Sequence, residues 1–286
     1  MPIHYETLLN WRIPEVRQQF TRRDTMLYAL GVGLGADPLD PKQLRFVYEK
    51  NLQALPTMAC VVGYPGRWHA QPGTGVTATH TVLADQSFII HKPLPVEGTV
   101  ISRSRLVSLV DKGAGRGALI TTESTVSNAD NGDLLFVATQ STYCRADGGF
   151  GGPAGPARPW HKVPDTAAHH VCDIVTLPQS ALIYRLSGDY HELHADPDYA
   201  RIAGFEKPIL PGRCTFSIAG LAILKTCCDY DPLHFKSMAG RFSAPAYPGE
   251  TIRTELWRDG NSVAFRASVP ARGVVVLDCG QAQVAA

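Results

Sequence analysis

The side chains that could do chemistry concentrate in one short stretch of this 286-residue chain, residues 187–196 (SGDYHELHAD). Asp189 and His194 lie close together within it. A carboxylate and an imidazole at such a spacing can hold one water molecule and exchange its protons with a bound substrate. A solvated surface loop would have a similar composition, so the stretch alone does not decide between a catalytic and a structural role.

Two other kinds of site are compatible with the same residues. The spacing His191-x-x-His194, beside Asp189, could bind a divalent metal ion, although the H-E-x-x-H order of the zinc peptidases is absent. Cys214 or Ser187 could serve a hydrolase as its nucleophile, but the chain has no G-x-S-x-G motif. Acid–base chemistry is therefore the favoured interpretation.

The composition excludes several broad classes of protein. The chain has 27 Lys and Arg against 26 Asp and Glu, and this net charge of +1 does not favour a nucleic-acid or membrane-surface partner. No apolar run approaches the 18 residues that a membrane span needs, and the N-terminus shows no signal pattern, so we expect a cytosolic protein. Seven cysteines without a C-x-x-C pair predict buried, reduced thiols. The glycines at 31–35 follow a helix rather than a strand, which argues against a nucleotide loop.

The elements that must position these residues change in type along the chain. A helix is predicted after Asp24 as its N-cap, and strands are predicted at 87–91, 100–110, 118–127 and 134–145. Asn131-Gly132 indicates a hairpin between the last two strands. Further on, Asp196 is a predicted helix cap, residues 215–228 form the longest apolar helix candidate, and four strands follow near 235–242, 251–257, 262–269 and 274–282.

The two halves of the chain look like copies of one unit. Residues 93–100 (PLPVEGTV) parallel residues 245–252 (PAYPGETI), and their glycines lie 151 residues apart. In both, a turn rich in Pro and Gly opens a long strand, and hairpins follow. We predict two tandem α+β units, at 1–147 and 161–286, joined by a Gly/Pro linker at 148–160.

Ordered matches along nearly the whole chain resemble the R-specific 2-enoyl-CoA hydratases, the hydratase 2 enzymes of the MaoC-type double hot-dog family. The matching segments are 28–33 (YALGVG), 55–57 (LPT), 92–95 (KPLP), 148–152 (GGFGG), 184–189 (YRLSGD), 193–197 (LHADP), 203–210 (AGFEKPIL) and 214–216 (CTF). The resemblance implies two hot-dog units, each an antiparallel sheet wrapped round a helix, that form a pseudo-dimer within one chain. The helix at 215–228 is then the central helix of the second unit.

The implied reaction is the reversible syn addition of water to a trans-2-enoyl-CoA, which gives the (3R)-3-hydroxyacyl-CoA. By resemblance, Asp189 and His194 are the acid–base pair and the backbone N–H of Gly212 is an oxyanion donor. The resemblance further implies a substrate-binding set made of Lys92, Tyr190, His191, Glu192, Leu193, Arg241 and Phe242. It implies no metal and no organic cofactor, and a homodimer as the assembly.

The sequence departs from the family inside its motif. His191 and Glu192 stand where the family has Asn and Pro, Pro211 replaces a His, and Arg213 follows Gly212. His191 can carry a charge, unlike Asn, whereas Pro211 leaves the N–H of Gly212 in place. An active hydratase is the favoured reading. The alternatives are a weak or non-catalytic acyl-thioester-binding relative and another hot-dog activity, such as thioesterase or acyl-carrier-protein dehydratase.

Overall fold

A computed structural model describes residues 2–155 and 160–285, and its framework is one sheet of ten antiparallel strands. The strands are β1 (Val16–Phe20), β2 (Thr81–Ile90), β3 (Gly98–Asp111), β4 (Ala118–Asn128), β5 (Leu134–Cys144), β6 (His170–Val175), β7 (Phe235–Phe242), β8 (Thr251–Asp259), β9 (Ser262–Val269) and β10 (Val274–Val284). Their order across the sheet is β1-β3-β4-β5-β2-β7-β10-β9-β8-β6.

Within the described residues, six α-helices accompany the sheet: α1 (Tyr5–Leu9), α2 (Arg22–Val32), α3 (Pro41–Val47), α4 (Ser180–Tyr184), α5 (Pro197–Ile202) and α6 (Gly212–Cys227). As predicted, Asp196 caps α5: its side chain accepts hydrogen bonds from the backbone N–H groups of Asp198 and Tyr199 in the first turn of the helix. The predicted cap of α2 was wrong by one turn: Thr21 is the N-cap, and Asp24 completes its capping box. None of the described helices is long and apolar enough to cross a membrane.

The sheet has the same strand order in both halves of the chain. Read from its outer edge, the first half runs β1-β3-β4-β5-β2 and the second runs β6-β8-β9-β10-β7, so each strand corresponds to the one five later. The two halves join where β2 pairs with β7, with Asp85 opposite Arg241. The buried core is continuous across this seam, since Phe88 of β2 packs on Phe216 and Phe235 with ring centroids 6.1 Å and 5.8 Å away.

Helix α6 is the central helix of the second half, and 13 of its 16 residues are buried. The expectation of a similar helix in the first half was wrong. At the corresponding place in the first half, the described chain has a five-residue 3-10 turn, Pro56–Cys60, which packs against α6. Residues 61–65 continue from this turn, and Gly63 comes so close to β3 that a Cβ would meet the Cβ of Ser102 at 2.8 Å. A loop therefore fills the first half where the second half has a helix.

Most of the predicted elements are confirmed, including the Asn131-Gly132 hairpin and the four strands that close the chain. Both edge strands, β1 and β6, are short and were not predicted from the sequence. The predicted linker, 148–160, lies partly outside the described residues, at 156–159. Its limits, and the division into units at 1–147 and 161–286, stay predictions.

Gly220 provides a test of how tightly α6 packs against the Pro56–Cys60 turn. A Cβ at this position would lie 2.4 Å from Cγ2 of Thr57 and 3.3 Å from Sδ of Met238. Gly220→Ala should therefore lower the free energy of unfolding by about 1–3 kcal/mol, as overpacking does in other cores. Urea denaturation measures this loss. Lys225→Ala, on the exposed face of α6, should stay within about 0.5 kcal/mol of wild type, and an equal loss in both variants would contradict the packing.

Candidate active site

A cavity of about 520 Å³ opens beside the seam between the two halves. Residues 81–85 of β2 and the end of β5 line it from the first half. The second half contributes the start of α6, the end of β7 with the residues after it, and the segment that the sequence analysis singled out. The cavity thus brings both halves of the chain to one site.

Asp189 and His194 face each other inside this cavity. Asp189 follows a 3-10 turn that ends at Gly188, whose φ of 122° favours glycine, and His194 ends the next such turn. Both side chains are more than nine-tenths buried, and Oδ2 of Asp189 lies 4.0 Å from Nε2 of His194. The other ring nitrogen, Nδ1, is 3.0 Å from the carbonyl oxygen of Ile209. Because a carbonyl oxygen only accepts hydrogen bonds, Nδ1 carries the proton and Nε2 presents its lone pair to the cavity.

Arg213, in the first turn of α6, forms a buried ion pair with Asp189. Its Nη1 donates to Oδ2 of Asp189 at 3.1 Å, and its Nη2 donates to Oε1 of Gln140 on β5. The guanidinium also lies over the ring of Tyr64, 3.8 Å from the ring centroid. The candidate carboxylate is therefore held in place by contacts from both halves of the chain.

These contacts set the protonation states of the pair. Burial by itself raises the pKa of Asp189, but the opposing contributions, led by the positive charge of Arg213, outweigh it and hold the pKa below the usual range. Burial lowers the pKa of His194, although the nearby Asp189 opposes this effect. At neutral pH the site consequently holds an ionised carboxylate and a neutral imidazole.

Two further imidazoles line the cavity, and both are neutral at neutral pH. Burial and then the positive charge of Arg67 lower the pKa of His191 to about 3 and that of His69 to about 4. Nε2 of His191 lies 3.3 Å from the hydroxyl of Tyr199, and its ring packs edge-on against His194 at 5.5 Å. His191 therefore packs beside the acid–base pair as an uncharged side chain.

Gly212 is the first residue of α6 and lines the cavity. The first N–H groups of a helix have no partner within it, and they carry the positive end of the helix dipole. A Cβ on Gly212 would lie 3.4 Å from the ring of Phe242, so the glycine keeps this side of the cavity open. The backbone at Gly212 is thus suited to bind a developing negative charge.

The structure places only part of the predicted substrate-binding set in the cavity wall. Leu193, Arg241 and Phe242 line the cavity along with His191. Glu192 is not part of the lining, although it pairs at 3.4 Å with Arg67, which is, and Tyr190 is 58% exposed outside the cavity lining.

Lys92 also lies away from this cavity. Strand β2 rises by about 3.3 Å per residue, which separates its last residue, Ile90, from Asp85 in the cavity wall by about 16 Å. Lys92 follows that far end, where its Nζ pairs with Oδ2 of Asp133 at 2.6 Å. Its predicted contact with the CoA part of the ligand has no counterpart in the lining of this cavity.

The nucleophile and metal alternatives find little support in the site. Cys214 is fully buried in α6, where burial raises the pKa of its thiol, and its Sγ lies 3.6 Å from the carbonyl oxygen of Gly31. Ser187 is absent from the cavity lining, and its hydroxyl is buried. Across residues 2–155 and 160–285, no group of three or more His, Cys, Asp and Glu side chains is arranged to hold a metal ion.

Sequence reasoning gave no role to four residues that shape the site: Tyr64, His69, Gln140 and Arg213. A signal for Arg213 existed, because it is the one charged residue in the apolar run 208–224. The other three come from the first half and carry no local pattern, so only the packing of the two halves reveals them.

The chain matches known families along nearly its whole length. Residues 18–146 match the MFE-2 hydratase 2 N-terminal domain, and residues 160–278 match the MaoC-like domain. The relative "Enoyl-CoA hydratase 2, peroxisomal" of Arabidopsis thaliana is 35% identical over 95% of this chain and 93% of its own length.

Solved structures show the same architecture. A MaoC-like dehydratase from Phytophthora capsici is 29% identical with a TM-score of 0.84, and the match covers 99% of both chains. A Mycobacterium tuberculosis protein described as having a double hotdog fold is 14% identical with a TM-score of 0.59 over 96% of each chain, a likeness in fold alone. These matches confirm the predicted double hot-dog fold.

Proposed function

The chain belongs to the hydratase 2 family of MaoC-like proteins, and we propose that it catalyses the reversible syn hydration of trans-2-enoyl-CoA esters to (3R)-3-hydroxyacyl-CoA. One observation supports the assignment of the catalytic residues. Asp189 and His194 present Oδ2 and Nε2 to each other across 4.0 Å, in a cavity that is also lined by Gly212, the first residue of α6.

In the proposed reaction, Asp189 and His194 hold the attacking water between them. A separation of 4.0 Å is too long for a direct hydrogen bond but suits two acceptors that bind the two hydrogens of one water molecule. As the water oxygen bonds to C3, the pair takes up the released proton. It then delivers that proton to C2 on the same face of the double bond, so water adds without any net change in the pair.

The N–H of Gly212 has the complementary task of stabilising charge. Addition at C3 moves electron density onto the thioester oxygen, which takes on enolate character. A backbone N–H at a helix start is a preorganised donor for this oxygen, and such a donor contributes about 3–4 kcal/mol to transition-state stability in other enzymes. Hydration involves no net oxidation or reduction, so the proposal requires no redox cofactor.

The reaction class can be tested with crotonyl-CoA and two absorbance readings. Loss of the enone absorbance without release of free thiol is the expected result. Release of thiol would indicate a thioesterase, and binding of the ester without either change would indicate a non-catalytic thioester-binding protein. Because no metal takes part in the proposed reaction, treatment with a chelator should leave the rate unchanged.

Three further expectations stay predictions. We predict that the first half accommodates the substrate and that the second half carries the catalytic residues. Tyr64 and Gln140 of the first half contact Arg213, the partner of Asp189. A homodimer would follow the family resemblance. A cytosolic location is still to be tested, since the name of the Arabidopsis relative places that protein in the peroxisome.

A further inference from the structure

The main cavity ends against a second, much smaller one of about 20 Å³, and the two share part of their lining. Along β2, residues 81–85 line the main cavity and Gln86 lines the small one. Strand β5 has the same arrangement: Thr142 and Tyr143 line the main cavity, and the small one is lined by Phe136, Ala138 and Thr139. Both strands therefore run from the main cavity into the small one.

Two side chains separate these cavities, because Tyr64 and Gln140 are the residues that line both. Arg213 holds both of them, through its stack on the ring of Tyr64 and its hydrogen bond to Gln140. We call these three residues the inner wall. Since Arg213 is also tied to Asp189, moving the wall would disturb a buried ion pair, which is costly.

The charges along the cavity indicate which way a CoA ester enters. Lys112 and Arg241 line the cavity and are exposed, so they lie at its open end, where they can neutralise the phosphates of CoA. Arg213 and Gln140, in contrast, are 5% and 9% exposed. With the thioester oxygen at Gly212, the acyl chain beyond the double bond points away from the open end.

We propose that the inner wall of Arg213, Tyr64 and Gln140 ends the acyl part of the cavity, so that the enzyme acts on enoyl-CoA esters with short acyl chains. The proposal rests on the function proposed above. A long alkyl chain would have to displace the ring of Tyr64 and pack against a buried guanidinium, and covering that charge with hydrocarbon is unfavourable. A chain of crotonyl length ends before it reaches the wall.

The test compares crotonyl-CoA with trans-2-dodecenoyl-CoA in wild type and in Tyr64→Ala. The wild type should favour crotonyl-CoA in kcat/KM by about tenfold or more, and Tyr64→Ala should reduce this preference by about tenfold, because it opens the wall without touching Asp189. The matched control is Tyr143→Ala, at the other end of the lining of β5, which should leave the ratio between the two esters unchanged. Gln140→Ala repeats the test if Tyr64→Ala does not fold.

Two results would contradict the proposed role of the inner wall. One is a wild type that turns over both esters equally well, and the other is an unchanged ratio of kcat/KM for the two esters in Tyr64→Ala. Calorimetric binding of the saturated esters butyryl-CoA and dodecanoyl-CoA tests the wall independently of turnover. If the wild type binds butyryl-CoA more tightly than dodecanoyl-CoA and Tyr64→Ala abolishes this difference, the proposed role of the inner wall is supported even if no ester is hydrated. Inactivity toward both unsaturated esters would overturn the proposed function alone.

Discussion

Asp189→Asn should reduce kcat for crotonyl-CoA by about 10²–10⁴-fold, the usual contribution of a positioned acid–base group. The amide keeps the size of the carboxylate but cannot take up the proton of the attacking water. Binding of butyryl-CoA should change much less than kcat, because the proposed role of Asp189 is in the proton transfer. Steady-state kinetics and calorimetric binding measure the two effects separately.

Asp198→Asn is the matched control for this variant. Asp198 lies nine residues further along the chain in the first turn of α5, with its side chain 79% exposed and paired with Arg201. The change in charge is the same, but it occurs outside the cavity. Wild-type turnover is expected for Asp198→Asn, and wild-type turnover for Asp189→Asn would remove that residue from the mechanism.

Arg213→Leu should move the acid limb of the kcat/KM profile to higher pH. In the wild type, Arg213 helps to hold the pKa of Asp189 below its usual range, so the carboxylate stays ionised well into the acid range. Without the guanidinium, burial dominates and raises this pKa, and the base becomes protonated at a higher pH. The pH profile with crotonyl-CoA shows the shift, and Arg213→Lys, which keeps a positive charge, should restore part of the wild-type profile.

The same variant should also change how stability depends on pH. A carboxyl whose folded-state pKa is depressed stabilises the protein above its unfolded-state pKa, and this contribution is lost as pH falls through the folded-state pKa. Removing one partner of a buried ion pair costs about 3–5 kcal/mol. Arg213→Leu should therefore unfold at lower urea concentration at neutral pH, with a smaller deficit in acid. A variant with a shifted pH profile but unchanged stability would contradict the buried pair.

The fold could be predicted largely from local patterns. Turns such as Asn131-Gly132 and the repeated Pro- and Gly-containing segment before β3 and β8 depend on backbone conformations that few residues adopt, so the sequence shows them directly. The absence of a counterpart to α6 in the first half could not be predicted in this way. It depends on how residues 56–65 pack between α6 and the sheet.

The candidate site, too, could be predicted only where its residues lie close together in the chain. Asp189, His191 and His194 lie within six residues, so a sequence pattern can show them together. The partner that sets the charge of Asp189 comes from α6, and the ring and amide that hold this partner come from the other half of the chain. The role of Lys92 stays a prediction, since its side chain lies beyond the far end of β2 and pairs there with Asp133.

The most direct test of the proposed mechanism is chiral analysis of the product formed from crotonyl-CoA. Asp189, His194 and Gly212 line one cavity, so water should reach C3 from one face of the bound ester only. The mechanism predicts (3R)-3-hydroxybutyryl-CoA as the sole enantiomer. A racemic product, or the (3S) enantiomer, would contradict it.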